Sequence, residues 1–107
     1  NVLTAFVEGI EINELKSMAD AAKAQMKNGV VVMATNNDGK VTFIAMAMPE
    51  AVERGVHCGK IIKEITAICG GSGGGKPDMA QGGGTEVNKI DDALAKVDDI
   101  VLAQINK

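Results

Sequence analysis

The spacing of apolar residues changes along the chain and marks out successive elements. VLTAFVEG, residues 2–9, is rich in β-forming residues and stops at a glycine, which predicts a first strand. Ile12, Leu15, Ala19, Ala22 and Met26 then recur at intervals of three and four, the period of one helix face. This helix is predicted over residues 13–28, with Asn13 capping its start and Gly29 stopping its end. VVVMAT, residues 30–35, is a continuous apolar run, as expected of a strand buried on both faces. NNDG supplies turn chemistry, and KVTFIAMAM, residues 40–48, returns as the second strand of a hairpin. Pro49 closes that strand, and a short turn leads to Gly55.

A second helix is predicted from Val56 to Cys69. Cys58, Ile61, Ile62, Ile65, Ile68 and Cys69 form its buried stripe, and His57, Lys60 and Lys63 turn away from it. GGSGGGKPDMAQGGG, residues 70–84, then interrupts all periodicity and reads as a glycine-rich loop. A last helix starts at Thr85 or Glu86, with Val87, Ile90, Leu94, Val97 and Val101 on one face. Asp91, Asp92, Asp98 and Asp99 keep its other side wet and read as a solvated face, since nothing nucleophilic or metal-binding joins them. The order predicts a small α/β (α+β) sandwich, about three helices on a mixed sheet, as one domain over residues 1–107.

Composition narrows the function classes. With 46% hydrophobic and 23% charged residues the chain is ordinary globular material, and no apolar run nears the roughly 20 residues of a membrane span. Because its first residues already read as a strand, the chain is expected to be a piece of a longer one. Trp and Tyr are absent, so Phe6 and Phe43, both in apolar strand patterns, are expected in an otherwise aliphatic core. A net charge of −3 confines any nucleic-acid contact to a local patch. Cys58 and Cys69, about 16 Å apart along one helix, are beyond disulfide reach, and two unpaired thiols suit a reducing cytosol. With a single histidine in the chain, no zinc site is expected.

The glycine segment admits three readings. Gly70, Gly75 and Lys76 match the G-x-x-x-x-G-K spacing of a phosphate-binding loop. However, Pro77 stands where that motif needs a magnesium-binding hydroxyl, and a helix precedes it instead of a strand. A slack linker is the second reading. Against it, Pro77 stiffens the turn, Asp78 and Gln81 can hydrogen-bond, and Met79 can plug a pocket, so a fixed shape is favoured.

GVHCGKIIKEITAICGGSGGGKPDMAQGGG, residues 55–84, closely resembles the C-terminal globular, DHH-associated domain of the alanyl-tRNA synthetase family. The likeness lies in a helix of form G-x-H-x-G-K, a glycine run, a basic residue, then Pro-Asp-Met-Ala-Gln and a Gly-Gly pair. VLTAFVEG, LKSMADAAK and KIDDALA extend it over nearly the whole chain. The resemblance implies a non-catalytic cytoplasmic module that docks the outer corner of tRNA(Ala), so that one tRNA reaches both the aminoacylation and the editing sites. It implies as partners the other domains of a parent ligase, no membrane, and no cofactor on this segment; ATP, magnesium and zinc would serve elsewhere in the parent. DHH-type phosphoesterases usually carry a G-G-G-H loop here, whereas residues 70–84 hold no histidine and Ser72 interrupts the glycines.

The candidate RNA contacts follow from both arguments. Gly70, Gly71, Gly73, Gly74, Gly75, Gly82 and Gly83 lack a Cβ, so a ribose–phosphate backbone can approach their N–H groups, which can form anion-binding concavities. Lys76, Lys60 and Lys63 add charge, and Ser72, Pro77, Asp78, Met79 and Gln81 complete the surface. The helix start near Val56 and His57 is expected to offer free N–H donors, although His57 more readily serves as a cap than as a contact. Two other readings are the substrate-binding half of a DHH-type phosphoesterase, and an interaction module that forms a weak homo-oligomer through the apolar stripe of the last helix.

Overall fold

Two positive backbone angles set the centre of the fold. In the computed structural model, which describes residues 2–26 and 28–105, Asp38 (φ 52°) and Gly39 (φ 84°) form a two-residue turn between the paired Asn37 and Lys40. Such a turn matches the right-handed twist of its flanking strands, here β2 (Val30–Asn37) and β3 (Lys40–Ala47). Strand β1 (Val2–Glu8) reaches β2 through helix α1 (Ile12–Ala24) and pairs with it in parallel.

After β3 come the short helix α2 (Pro49–Glu53) and helix α3 (Cys58–Ile68). Strands β4 (Ser72–Gly75) and β5 (Met79–Gly84) follow, then a 3-10 turn at Val87–Lys89 and helix α4 (Ile90–Ile105). The sheet order is β1-β2-β3-β5-β4, antiparallel apart from β1 and β2. Beyond the described residues lie Asn1, Lys27 (placed by the sequence reading inside the first helix), Asn106 and Lys107.

Helices cover both faces of the sheet centre. On one face Val32, Phe43 and Ala45 pack with Ile61, Ile65 and Val97 of α3 and α4. On the other, Val31, Met33, Ile44 and Met46 pack with Leu15 and Ala19 of α1. The continuous apolar run of β2 is thereby buried on both sides, as its composition predicts. The stripe of the last helix is spent in the same way: Ile90, Ala93, Val97 and Val101 are buried within the chain, so that stripe is not an open oligomerisation surface. Both thiols are free and buried.

Several expectations are corrected. The first helix ends at Ala24, where the Gln25 and Met26 N–H groups turn back to the carbonyls of Ala22 and Lys23, three residues behind each. Asn13 lies inside that helix, and Glu11 holds the capping position without a side-chain bond. Pro49 opens a short helix instead of a plain turn, the first-turn position where its missing N–H costs nothing. Phe43 is fully buried, but Phe6 is 41% exposed. The difference is lateral position: β3 is central, whereas β1 is an edge strand with β2 as its one strand neighbour, so less of Phe6 is covered.

The largest correction concerns residues 70–84. They form a β-hairpin, not a loop. Its second strand inserts beside β3 with Val41 opposite Gly84 and Met46 opposite Met79, and β4 lies outermost.

Candidate nucleic-acid interface

The geometry begins with how α3 starts. His57 is its N-cap, and Nδ1 accepts a hydrogen bond from the Lys60 N–H at 3.2 Å. The Cys58 N–H donates to the Pro77 carbonyl at 2.9 Å and the Gly59 N–H to the Lys76 carbonyl at 3.2 Å. Gln104 of α4 closes the His57 peptide from both sides: Oε1 accepts from its N–H at 3.0 Å and Nε2 donates to its carbonyl at 3.2 Å. The donors expected to be free for a phosphate are therefore used inside the domain, and His57 is a cap. Replacing His57 by alanine is expected to cost about 1 kcal/mol, a fall in melting temperature of about 4–8 °C. A His57→Asn variant, able to accept at the same place, should recover most of it in a thermal denaturation.

The end of α3 explains the first glycines. Gly70 takes a left-handed conformation (φ 71°), its N–H bonds the Ala67 carbonyl, and the Gly71 N–H bonds the Thr66 carbonyl at 2.8 Å. This is the glycine-terminated helix end that turns the chain sharply into a strand. The KPDM turn is fixed as firmly. The Lys76 N–H donates to the Met79 carbonyl at 2.8 Å, and the Ala47 N–H donates to the Asp78 carbonyl at 2.9 Å. With the two bonds to α3, nearly every carbonyl of this turn holds another element in place, so a slack linker is excluded.

The hairpin has two faces, and they divide the predicted residues. Gly73, Gly75, Gly82 and Gly84 face α3, which lies unusually close because side chains are missing. A Cβ on Gly73 or Gly82 would stand 2.8 Å from Ile62 Cγ2, and one on Gly84 would stand 2.6 Å from the Cys69 carbonyl oxygen. On the helix side, a Cβ on Gly59 would overlap the Gly75 carbonyl oxygen. These glycines are bare for internal packing, the close backbone approach that strand glycines often mark. Ser72, Gly74, Met79, Gln81 and Gly83 face the other way, beyond the reach of α1.

The lysines divide too. Lys60 lines a groove of about 340 Å³ between α3 and α4 together with Glu64 and Asp99, so carboxylates offset its charge. Lys63 is exposed on α3, which covers the inward face of the hairpin. Lys76 is exposed at the hairpin turn, where a groove of about 420 Å³ is lined by Glu53 and Asp78. A groove of about 280 Å³ beside Phe6 likewise carries Glu8 and Asp91.

One groove differs. About 470 Å³ in volume, it runs over the outward face at the far end of the hairpin, and Lys40, Thr42, Ser72, Gly83 and Thr85 line it without a carboxylate. Lys40, Thr42 and Thr85 are absent from the predicted set. The β3–β5 pairing brings Thr42 opposite Gly83, and Gly83 lies opposite Ser72. The available signal was the alternation at Lys40-Val41-Thr42-Phe43, which marks a strand start with one solvated face.

Comparison with known proteins agrees with this architecture. A model of the DHHA1 domain family matches residues 1–103. The chain is 43% identical over 107 residues to an alanine–tRNA ligase of Alkaliphilus oremlandii, covering all of this chain and 12% of that protein. It is 42% identical over 101 residues to that of Bacillus subtilis, covering 94% of this chain and 12% of the ligase. The chain thus spans only about an eighth of the length of these relatives. Among solved structures, it matches the crystal structure of the C-Ala domain from Aquifex aeolicus alanyl-tRNA synthetase. The TM-score is 0.85 at 29% identity, covering 94% of this chain and 89% of that one.

Proposed function

The chain belongs to the DHHA1 domain family, and on that premise we propose that it is the tRNA-docking C-terminal module of an alanine–tRNA ligase, with no reaction of its own. The observation that carries this reading is the near-complete overlap with the C-Ala domain, 94% of one chain on 89% of the other, joined to the identity with alanine–tRNA ligases. In this role it works in the cytoplasm, its partners are tRNA(Ala) and the other domains of the ligase, and alanine activation with ATP and magnesium and any zinc-dependent editing reside outside it. Contacts come from the glycine hairpin, residues 70–84.

The chemistry suits recognition of shape. Backbone amides, hydroxyls and a few lysines can bind phosphate and ribose, but without an array of base-reading side chains they carry little sequence information. A net charge of −3 and few phosphate contacts also mean modest affinity with a shallow dependence on salt. Titrating the domain with tRNA(Ala) and with an RNA duplex of equal length should give at least about tenfold tighter binding to the tRNA at about 100 mM salt. Equal affinity for the two, or no binding of the tRNA, would remove the reading.

A further inference from the structure

We infer that the RNA-facing surface of this domain is the outward face of the glycine hairpin, with Gly74 as its bare centre, Lys40 as its cation, and the sugar–phosphate backbone as its ligand. This rests on the tRNA-docking reading and assigns that contact to one side of the sheet.

Most glycines of the hairpin are accounted for by the interior. Gly70 needs its left-handed angle, Gly73 and Gly82 make room for Ile62, and a Cβ on Gly83 would stand 2.7 Å from the Val41 carbonyl oxygen. Gly74 has neither reason. Its backbone is not left-handed, and a Cβ built on it meets nothing within 4 Å. A strand glycine gives up side-chain packing and conformational restriction, so one with no internal use leaves bare backbone for an outside group.

The neighbours on that face are chemically consistent. Gln81 stands directly opposite Gly74, and Ser72, two residues along the strand, opens the groove that leads over Thr42 to Lys40 and Thr85. Hydroxyls and an amide can donate to phosphate oxygens and exchange hydrogen bonds with ribose hydroxyls, and the Lys40 ammonium neutralises a phosphate. Charge separates this surface from three of the other grooves. Those that hold Lys60, adjoin the hairpin turn and flank Phe6 each carry two carboxylates, whereas none lines this one, although Glu86 lies beside Gly70 at its rim. The hollow beside Arg54 also lacks carboxylates but holds only about 50 Å³. α3 covers the opposite face of the hairpin.

The test is tRNA(Ala) binding by the 107-residue chain and three variants across a salt series, with each melting curve recorded. Gly74→Val, whose side chain enters open space, should keep the melting temperature and weaken binding by about tenfold, the loss of one or two good contacts. Lys40→Gln, at the exposed start of β3 and safe for folding, should weaken binding several-fold and reduce the salt slope by about one. Lys63→Gln, on the helix behind the hairpin, should change affinity by less than about twofold. If the unaltered chain binds tRNA and either folded Gly74→Val or Lys40→Gln binds as well as it does, the assignment to this face is overturned and the docking reading survives. If the unaltered chain does not bind tRNA, the docking reading itself falls.

Discussion

Replacing Gly59 by alanine is expected to destabilise the domain by about 2–4 kcal/mol, although the same exchange in an unobstructed helix stabilises by up to about 1 kcal/mol. The two effects act at one atom. The new methyl group would lower the chain entropy of the unfolded state, yet it would overlap the Gly75 carbonyl oxygen and stand 3.0 Å from its carbon. The obstacle is backbone, held by the β4–β5 ladder and by the turn carbonyls that cap α3, so it cannot swing away as a flexible side chain would. Gly71→Ala should do at least as much harm, because its Cβ would overlap the Gly83 carbonyl oxygen and stand 2.5 Å from Gly84 Cα. Gly74→Ala is the control, expected within about 0.5 kcal/mol of the unaltered chain. Urea unfolding of the three variants separates glycines required by packing from the one that is not. Comparable losses at all three sites would show that the helix-on-hairpin contact is looser than described.

The second large effect is alkaline. Burial, with a smaller contribution from the Asp78 carboxylate, pushes the Cys58 thiol up from 9.0 to about 12. In the unfolded chain this thiol ionises near its ordinary value; in the folded chain it keeps its proton. The unfolded state therefore binds fewer protons above pH 9. The stability this thiol contributes is complete below about pH 9 and is lost progressively as pH rises toward 12, at about 1.4 kcal/mol per pH unit. Cys69 acts in the same direction, raised first by burial and then by Glu86 and Asp92. Urea midpoints at pH 9 and pH 11 should show the unaltered chain losing about 2–3 kcal/mol more than Cys58→Ala. Equal losses in the two proteins would mean that Cys58 stays ionisable in the fold.

Local regularities were legible in the sequence, and non-local pairings were not. The doubly buried run at residues 30–35, the NNDG turn and the stripe of α3 each follow from spacing within one element, and each stands as predicted. The glycine hairpin did not follow, because glycine disfavours strands and nothing between residues 70 and 84 alternates. Those residues become strands because β3 offers an unpaired edge and Ile62 fills the space their missing side chains leave. The same blindness hid the surface groove. Lys40 and Thr42 lie some 40 positions before Gly83, and only sheet register brings them together. The expected free donors at the start of α3 failed for the same reason, since their acceptors come from Lys76, Pro77 and Gln104. Phe6 misled differently: its strand pattern is apolar, but composition does not say which strand ends at the margin of a sheet.

Those distant acceptors bear on how the domain is made. Synthesis runs from the N-terminal side toward the C-terminal side, so α3 leaves the ribosome before anything that completes its first turn. Its two turn carbonyls arrive with Lys76 and Pro77, and the fork that closes on the His57 peptide arrives only with Gln104, 47 positions later. A nascent chain stalled short of Gln104 would hold the helix with its leading end unfinished, and the all-or-none transition of a small domain would wait for the final turns of α4.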